Sequence, residues 1–433
     1  MIIHRKQRWY GRKAIAVLFL IYSSLTLSEL LGIDAFGLSA DSANKSLSPK
    51  SISPEKSPKA LIPYADNGTL NWIQATAAAP WAYCCTHNTL VFDEKIWVII
   101  GYLHPEDHHV WYSSDGVNWT SVMATPPWCD RGEFQTVVFH DMMWVLGGFS
   151  YDVQHDVWYS TDGVDWIQAT GHAAWHPRAY HQSIVFDNKI WVIGGEDPFD
   201  IFNDVWYSSD GANWTEATDN AIWGMLAGFS TTVFRDKMWV IGGFNYSYRG
   251  LTGGVWSSED GAYWTYEGDC GARIDQEAVV AGGGIWLTGG DYGGDETNSV
   301  WSSTDGANWN LVTCNSHWSA RESHAIVNFD GKIWVLGGID DYGVKNDVWY
   351  AEVFNAHFSG VPVTDTVPLT VQFTDESISV LETITGWLWD FGDGTTSTEQ
   401  HPVHTYDLRG LYDVSLTVTS ASNTDTETKT GYI

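Results

Sequence analysis

The sequence predicts an all-β protein, a ring of six four-stranded sheets followed by a smaller β-sandwich, and three observations predict it. The stretch DVWYSSDGANWTEAT, Asp204 to Thr218, recurs in variant form along most of the chain. Its first tryptophan falls at 111, 158, 206, 256, 301 and 349 and its second at 72, 119, 166, 214, 264 and 309, so the period is 45 to 50 residues. The composition, with 26 Trp and 42 Gly in 433 residues and 17% charged, suits short strands and tight turns better than helices.

Within the repeat, Asp210-Gly211 separates two runs rich in Val, Trp, Tyr and Thr. A pair that tolerates positive φ between such runs predicts a β-hairpin. A second hairpin lies upstream, clearest over His181 to Gly195, where two apolar runs meet at Asp187-Asn188 and the second ends in a glycine pair. The same pair recurs at Gly147-Gly148, Gly242-Gly243, Gly289-Gly290 and Gly337-Gly338. Ile190 to Ile193 is apolar at every position rather than alternate ones, which predicts a strand covered on both faces. Two hairpins per period make a four-stranded unit, and such units at this spacing imply a β-propeller, in which circular closure leaves only short edges.

At these residues the chain resembles the kelch-repeat family, within the galactose-oxidase-like propeller superfamily. The glycine pair closes the second strand, an aromatic follows in each of the next two, and Arg178 with His181, like Arg321 with His324, matches the family's R-x-x-H before its first strand. The resemblance covers residues 64–353. The sixth unit has no fourth strand after Val348-Trp349-Tyr350, whereas Asn71 to Thr76 is a fourth strand with nothing before it. The expectation is a six-bladed ring closed by its own N-terminal strand.

Residues 1–40 begin with Arg5, Lys6, Arg8, Arg12 and Lys13 and continue into an apolar run, the order of a signal peptide, or of a signal anchor if it is not removed. Residues 41–63 are Ser, Pro and Lys rich, a linker composition. Near the C-terminus stand Trp387-Leu-Trp389-Asp390-Phe391-Gly392-Asp393-Gly394, then His404-Thr-Tyr406, Gly410-Leu-Tyr412 and the alternating Val414-Ser-Leu416-Thr-Val418. These resemble a PKD domain over 357–433, which implies an immunoglobulin-like β-sandwich of extracellular and surface proteins. A further strand is expected beyond Gly431-Tyr432-Ile433, so the sequence reads as truncated there.

The formal charge is −31, and residues 61–433 alone carry 13 Lys and Arg against 49 Asp and Glu, a net −36. A surface this acidic repels phosphate backbones, which excludes nucleic acid as a partner. Only an uncleaved N-terminal segment would bring the chain to a membrane. The five cysteines sit at 84, 85, 129, 270 and 314, each in or near a connection between units. Export permits disulfides, and Cys270 with Cys314, and Cys129 with Cys84 or Cys85, are the expected pairs. The sequons at Asn118 and Asn213 belong to the repeat itself; others stand at Asn44, Asn67 and Asn245.

Strand alternation places the tight turns at one end of the array and the variable loops at the other. The loop end gathers Trp128, Trp175 and Trp318, the arginines Arg131, Arg178, Arg273 and Arg321, and His181 and His324. Tryptophan faces stack on sugar rings and arginines pair with carboxylates or sulfates, so a carbohydrate or protein ligand is expected there. Against this, arginines and histidines that repeat with the unit suit a structural role, and the hairpin tryptophans suit packing between sheets. Asp291 with Asp295-Glu296, and Asp340-Asp341, offer oxygen ligands of the kind Ca²⁺ takes, without a complete loop signature. No other cofactor is predicted. A loop with His104, His108, His109, Glu106 and Asp107 carries transition-metal ligand types.

The hairpin turn resembles the sialidase Asp-box, one residue short. Kelch-type propellers include a copper oxidase, whose Tyr/Cys/His set has no counterpart here, and a sialic-acid mutarotase, for which Arg178, Arg321 and His181 would supply the anion contact and base. No nucleophile and base stand at diagnostic spacing. The reading is therefore a secreted or cell-surface, non-catalytic binding or adhesion protein, with a carbohydrate-active propeller enzyme as the alternative.

Overall fold

The computed structural model describes residues 70–81, 87–101, 110–123 and 126–433, and every regular element among them is a β-strand. The expected signal segment, the linker, Cys84, Cys85 and the His104 to His109 cluster lie outside the described residues. No helix among those described is long and apolar enough to cross a membrane.

Six four-stranded antiparallel sheets carry the repeats. Sheet one comprises His87–Phe92, Lys95–Ile100, Val110–Ser113 and Thr120–Met123; sheet two Gln135–Phe139, Met142–Phe149, Val153–Ser160 and Ile167–Thr170. Sheet three comprises Gln182–Phe186, Lys189–Glu196, Ile201–Ser208 and Thr215–Thr218, and sheet four Ser230–Phe234, Lys237–Ile241, Gly254–Ser258 and Thr265–Asp269. Sheet five has Glu277–Ala281, Gly284–Thr288, Val300–Ser303 and Asn310–Thr313. In sheet six, Ala325–Phe329, Lys332–Asp340 and Gly343–Glu352 are joined by Ile73–Thr76 from the start of the chain. Ile73 faces Tyr350, Gln74 faces Trp349 and Thr76 faces Val348.

The first strand of each sheet lies beside that of the next, and the first strand of sheet six lies beside that of sheet one. The second strands are the buried ones. Ile190, Val192 and Ile193 are wholly covered, as the unbroken apolar run predicts, because one face meets the preceding sheet and the other the following one. Tryptophans lock the second, third and fourth repeats edge to face: Trp128 with Trp166 at 4.9 Å, Trp175 with Trp214 at 5.9 Å and Trp223 with Trp264 at 4.4 Å. Sheet six makes the same contact with Trp318 and Trp72 at 5.8 Å, so the N-terminal strand supplies the ring that the sixth repeat lacks.

The expected Cys270–Cys314 disulfide is not formed. Cys270 stands where the other repeats carry this tryptophan, three residues before the arginine position, and is sealed inside the cluster of Trp239, Ile241, Ile285 and Leu287. Burial pushes its thiol up to about 12, despite the Arg273 charge, and Cys314 faces solvent, so the two sulfurs point to different environments. Cys129 is also free.

Residues from Phe354 onward form a sandwich of a three-stranded sheet, Phe358–Val361, Leu369–Asp375 and Val403–Tyr406, and a four-stranded one, Thr396–Ser397, Gly386–Asp390, Val414–Thr419 and Thr424–Lys429. Trp389, Phe373, Phe391, Tyr406 and Leu416 fill its core. Tyr406 donates to the Phe391 carbonyl at 3.1 Å. Leu381 from this unit packs in the cluster of Trp286 and Val353, and the Val380 amide donates to the Val353 carbonyl at 3.0 Å, so the sandwich is seated on sheets five and six.

Candidate functional site: the loop end of the array

The residue two places before the first strand has positive φ. It is Glu133, Tyr180, Gly228, Asp275 or Ser323 in sheets two to six, with φ between 53° and 60°. These residues and the strand starts they lead into, among them Gln135, Gln182 and Glu277, line a central cavity of about 660 Å³, its open mouth included. Glu133 and Asp275 make it acidic, and no lysine or arginine among the described residues lines it. Enclosure, with Asp275 alongside, pushes the Glu277 carboxyl up to about 8. The Gln276 side chain is held by donation to the Ile241 carbonyl at 2.8 Å, while its carbonyl oxygen has no partner.

The arginines named from the sequence stand behind this wall. Arg178 is fully buried and donates two parallel hydrogen bonds to Asp204, at 2.6 and 2.8 Å, and one to the Gly194 carbonyl at 2.7 Å. Arg321 grips Asp347 at 2.7 and 3.0 Å and the Gly337 carbonyl at 2.7 Å, and Arg131 grips Asp156 and the Gly147 carbonyl in the same way. These buried guanidiniums are thus already neutralised by a carboxylate, with only the Nε of Arg131 left without a partner. Their work is to tie the segment before the first strand to the third strand of the same sheet. Arg273 has no carboxylate partner among the described residues.

His181 and His324 are also enclosed. Burial and the adjacent Arg178 pull His181 down to about 3, and burial, Arg321 and His87 do the same to His324. Both are therefore neutral, and Phe134 and Phe229 fill the same position in sheets two and four. Trp128, Trp175 and Trp318 are at most 1% exposed. The stacking on sugars expected of them has no open ring face to use, since their faces are spent on the hairpin tryptophans.

The exposed aromatics are others. The loops between second and third strands carry Tyr151, 94% exposed, in sheet two, Phe199, 91%, in sheet three, and Tyr342, 93%, in sheet six. Tyr248 and Tyr292 occupy the same loops of sheets four and five and are also exposed. Sequence reasoning passed over all five because they follow the glycine pair at two to five residues rather than at one fixed offset. The glycine pair followed by an aromatic within one loop is the signal that would have found them.

Asp291 spends its carboxylate on the amides of Gly294 and Asp295, and Asp340 on the Tyr342 amide and Lys345, both at 2.8 Å. Among the described residues no group of three or more His, Cys, Asp or Glu is arranged to hold a metal ion. The sequon side chains Asn118 and Asn213 donate to Asp115 and Asp210 at 2.7 Å, and Asn245 donates to the Trp223 carbonyl.

With this geometry in hand, the comparisons fall into two parts. The family model of the PKD domain matches residues 355–433. Residues 355–433 are a PKD domain. "Collagenase ColA" of Bacillus cereus is 39% identical over 77 residues, 18% of this chain and 8% of that protein, and "Microbial collagenase" of Vibrio alginolyticus is 59% identical over 34 residues, 8% and 4%. The chain therefore spans less than a tenth of these relatives. The array resembles the solved "Structure of YjhT", with a TM-score of 0.53 at 14% identity, covering 64% of this chain and 96% of that one. The PKD domain is seated on a larger repeat array whose resemblance to YjhT concerns fold alone.

Proposed function

We propose that the six sheets are a closed six-bladed kelch-type propeller and that the protein is an extracellular, non-catalytic binding protein. Its loop end holds a neutral, hydroxyl-rich carbohydrate. The extracellular reading rests on the PKD domain and its likeness to collagenase segments. The fold reading rests on the sixth sheet, completed from the N-terminus, and on the likeness of fold to the solved structure of YjhT.

One observation carries the ligand reading: an exposed aromatic in every described loop between second and third strands, at the end where the acidic cavity lies. Rigid aromatic rings offer apolar faces to the C–H side of a sugar, and carboxylates accept hydrogen bonds from its hydroxyls. An anionic glycan suits the mouth poorly, because Arg131, Arg178 and Arg321 are already neutralised by Asp156, Asp204 and Asp347. The sialic-acid reading of the sequence loses its anion contact for the same reason. A glycan-array screen of the full chain beside the Phe199→Ala/Tyr342→Ala variant tests this. Neutral glycans bound by the natural chain and lost in the variant support it; preferential capture of sialylated or sulfated glycans sinks it.

A carbohydrate-active enzyme is the second reading, favoured by Glu277 alone. A carboxyl that holds its proton near neutral pH inside a cavity is suited to act as a general acid. Turnover of a bound glycan that falls at least tenfold in Glu277→Gln would move the protein to that class.

A further inference from the structure

Sheets two, three and six each gather three donors on one carboxylate. In sheet three, two guanidinium nitrogens of Arg178 and the indole nitrogen of Trp206, at 2.7 Å, converge on Asp204. Trp158 adds its indole N–H to the Arg131–Asp156 pair at 2.8 Å, and Trp349 to the Arg321–Asp347 pair at 2.8 Å. Sheet four has lost both charges together, with Leu226 at the arginine position and Gly254 at the aspartate position. Sheet five has lost only one. Arg273 and Trp301 remain, and Ser299 replaces the carboxylate.

Arg273 is fully buried. One of its terminal nitrogens donates to the Tyr292 hydroxyl at 2.8 Å and the other reaches the Ser299 hydroxyl at 3.4 Å. Its Nε and the Trp301 indole N–H are buried with no acceptor. The guanidinium carbon lies 5.1 Å from both the Tyr292 and the Trp301 ring centroids. An uncompensated buried cation is costly, and here burial lowers the affinity of the guanidinium for its proton below the ordinary value. The three donors that a carboxylate gathers elsewhere, two guanidinium nitrogens and one indole N–H, are thus all retained, and the hydroxyl of Ser299 is smaller than the carboxylate it replaces.

We propose that sheet five binds a small inorganic monoanion, chloride, in the place of this carboxylate, between Arg273, Trp301 and Ser299. Tyr292, 43% exposed, covers the outer side, so the ion enters from the loop end. The inference is independent of the carbohydrate reading.

The test compares the thermal midpoint of the full chain in sodium bromide or chloride with that in sodium gluconate at equal ionic strength. Anomalous diffraction from crystals grown in bromide locates the ion. The expected result is a midpoint that rises and saturates with halide concentration, as for any ligand that binds only the folded state, and a bromide peak in contact with Arg273 and Trp301. Ser299→Asp supplies the carboxylate internally and should be as stable in gluconate as the natural chain is in chloride. Arg273→Leu/Ser299→Gly copies sheet four and should ignore halide. A missing bromide peak, or a halide dependence that survives in either variant, overturns the proposal, and the peak decides the matter should the variants fail to fold.

Discussion

The turn joining the third and fourth strands is built alike in sheets one to five, whereas the described loops joining the second and third strands differ from one another. At the turn, Ser113, Ser160, Ser208, Ser258 and Ser303 each accept the amide of the glycine three residues on, all at 2.8 Å. Each turn glycine lies against a tryptophan of the neighbouring sheet: Gly163 on Trp97, Gly211 on Trp144, Gly261 on Trp191, Gly306 on Trp239, and Gly116 on Trp334 of sheet six. At the loop end, Asp197 closes one loop through the Phe199 and Asp200 amides, while sheet four builds a small three-stranded sheet from Leu226–Ala227, Phe244–Asn245 and Gly250–Leu251. Contacts between sheets must repeat because each sheet meets an equivalent neighbour. Loop tips meet only solvent or a ligand, so they are free to differ.

The sharpest way to probe this division is to break a clamp beneath the variable tips. Asp204→Asn leaves the buried Arg178 charge unpaired and should cost about 3–5 kcal/mol, read by denaturant unfolding. A cost under about 1 kcal/mol would mean that the loop end is not held by its arginines. At the opposite end, Gly211→Val forces a β-branched side chain to adopt φ +73° with its Cβ about 2.1 Å from the Trp144 ring. A loss of about 2–4 kcal/mol is expected, and the equivalent change at Gly163 should cost the same if the ends of the sheets truly repeat.

A pH titration sharpens the comparison further. His181 has its folded pKa depressed from 6.5 to about 3, so the unfolded chain takes up a proton that the folded one refuses. Its contribution to stability is present above pH 6.5 and is lost as pH falls toward 3. His181→Phe, which copies sheets two and four, should fold and flatten the stability curve in that window. The turn end titrates lower. Slight burial works against Asp210, but the Asn213 amide and side chain, the Ala212 amide and the Ser208 hydroxyl outweigh it and hold the carboxyl down to about 2. Its contribution persists above the ordinary carboxylate range and disappears only as pH falls toward 2, so the His181→Phe curve should keep this lower step.

The smallest expected effect on stability falls on the loop tips. Phe199→Ala removes a side chain that is 91% exposed and should change unfolding by no more than about 0.5 kcal/mol, while glycan binding is lost. A large stability loss would make the tip structural and remove it from the proposed site.

Much of the fold was legible because the repeat writes the same physical demand six times. The glycine pairs, the Asp-Gly turns and the unbroken apolar run Ile190 to Ile193 each specify local geometry that any neighbouring sheet would accept. The final Trp-Asp-Phe-Gly-Asp-Gly motif did the same for the PKD domain. The site was less legible. The R-x-x-H residues stood out because they repeat, yet they repeat because Arg178 and Arg321 clamp Asp204 and Asp347, partners 26 residues away. The residues that face solvent, Phe199 and Tyr342 above all, carry no period.

The sequence by itself determined the strands, the turns, the six-fold repetition and the C-terminal domain, because hydrophobic pattern and turn chemistry act over a few residues. Only the tertiary structure decided which aromatics are open and which arginine lacks a counter-charge. Trp175 and Phe199 are both aromatics of the loop end, and Arg178 and Arg273 hold equivalent positions. What separates them is burial and the identity of a partner brought in from another strand, Asp204 in one sheet and Ser299 in the other.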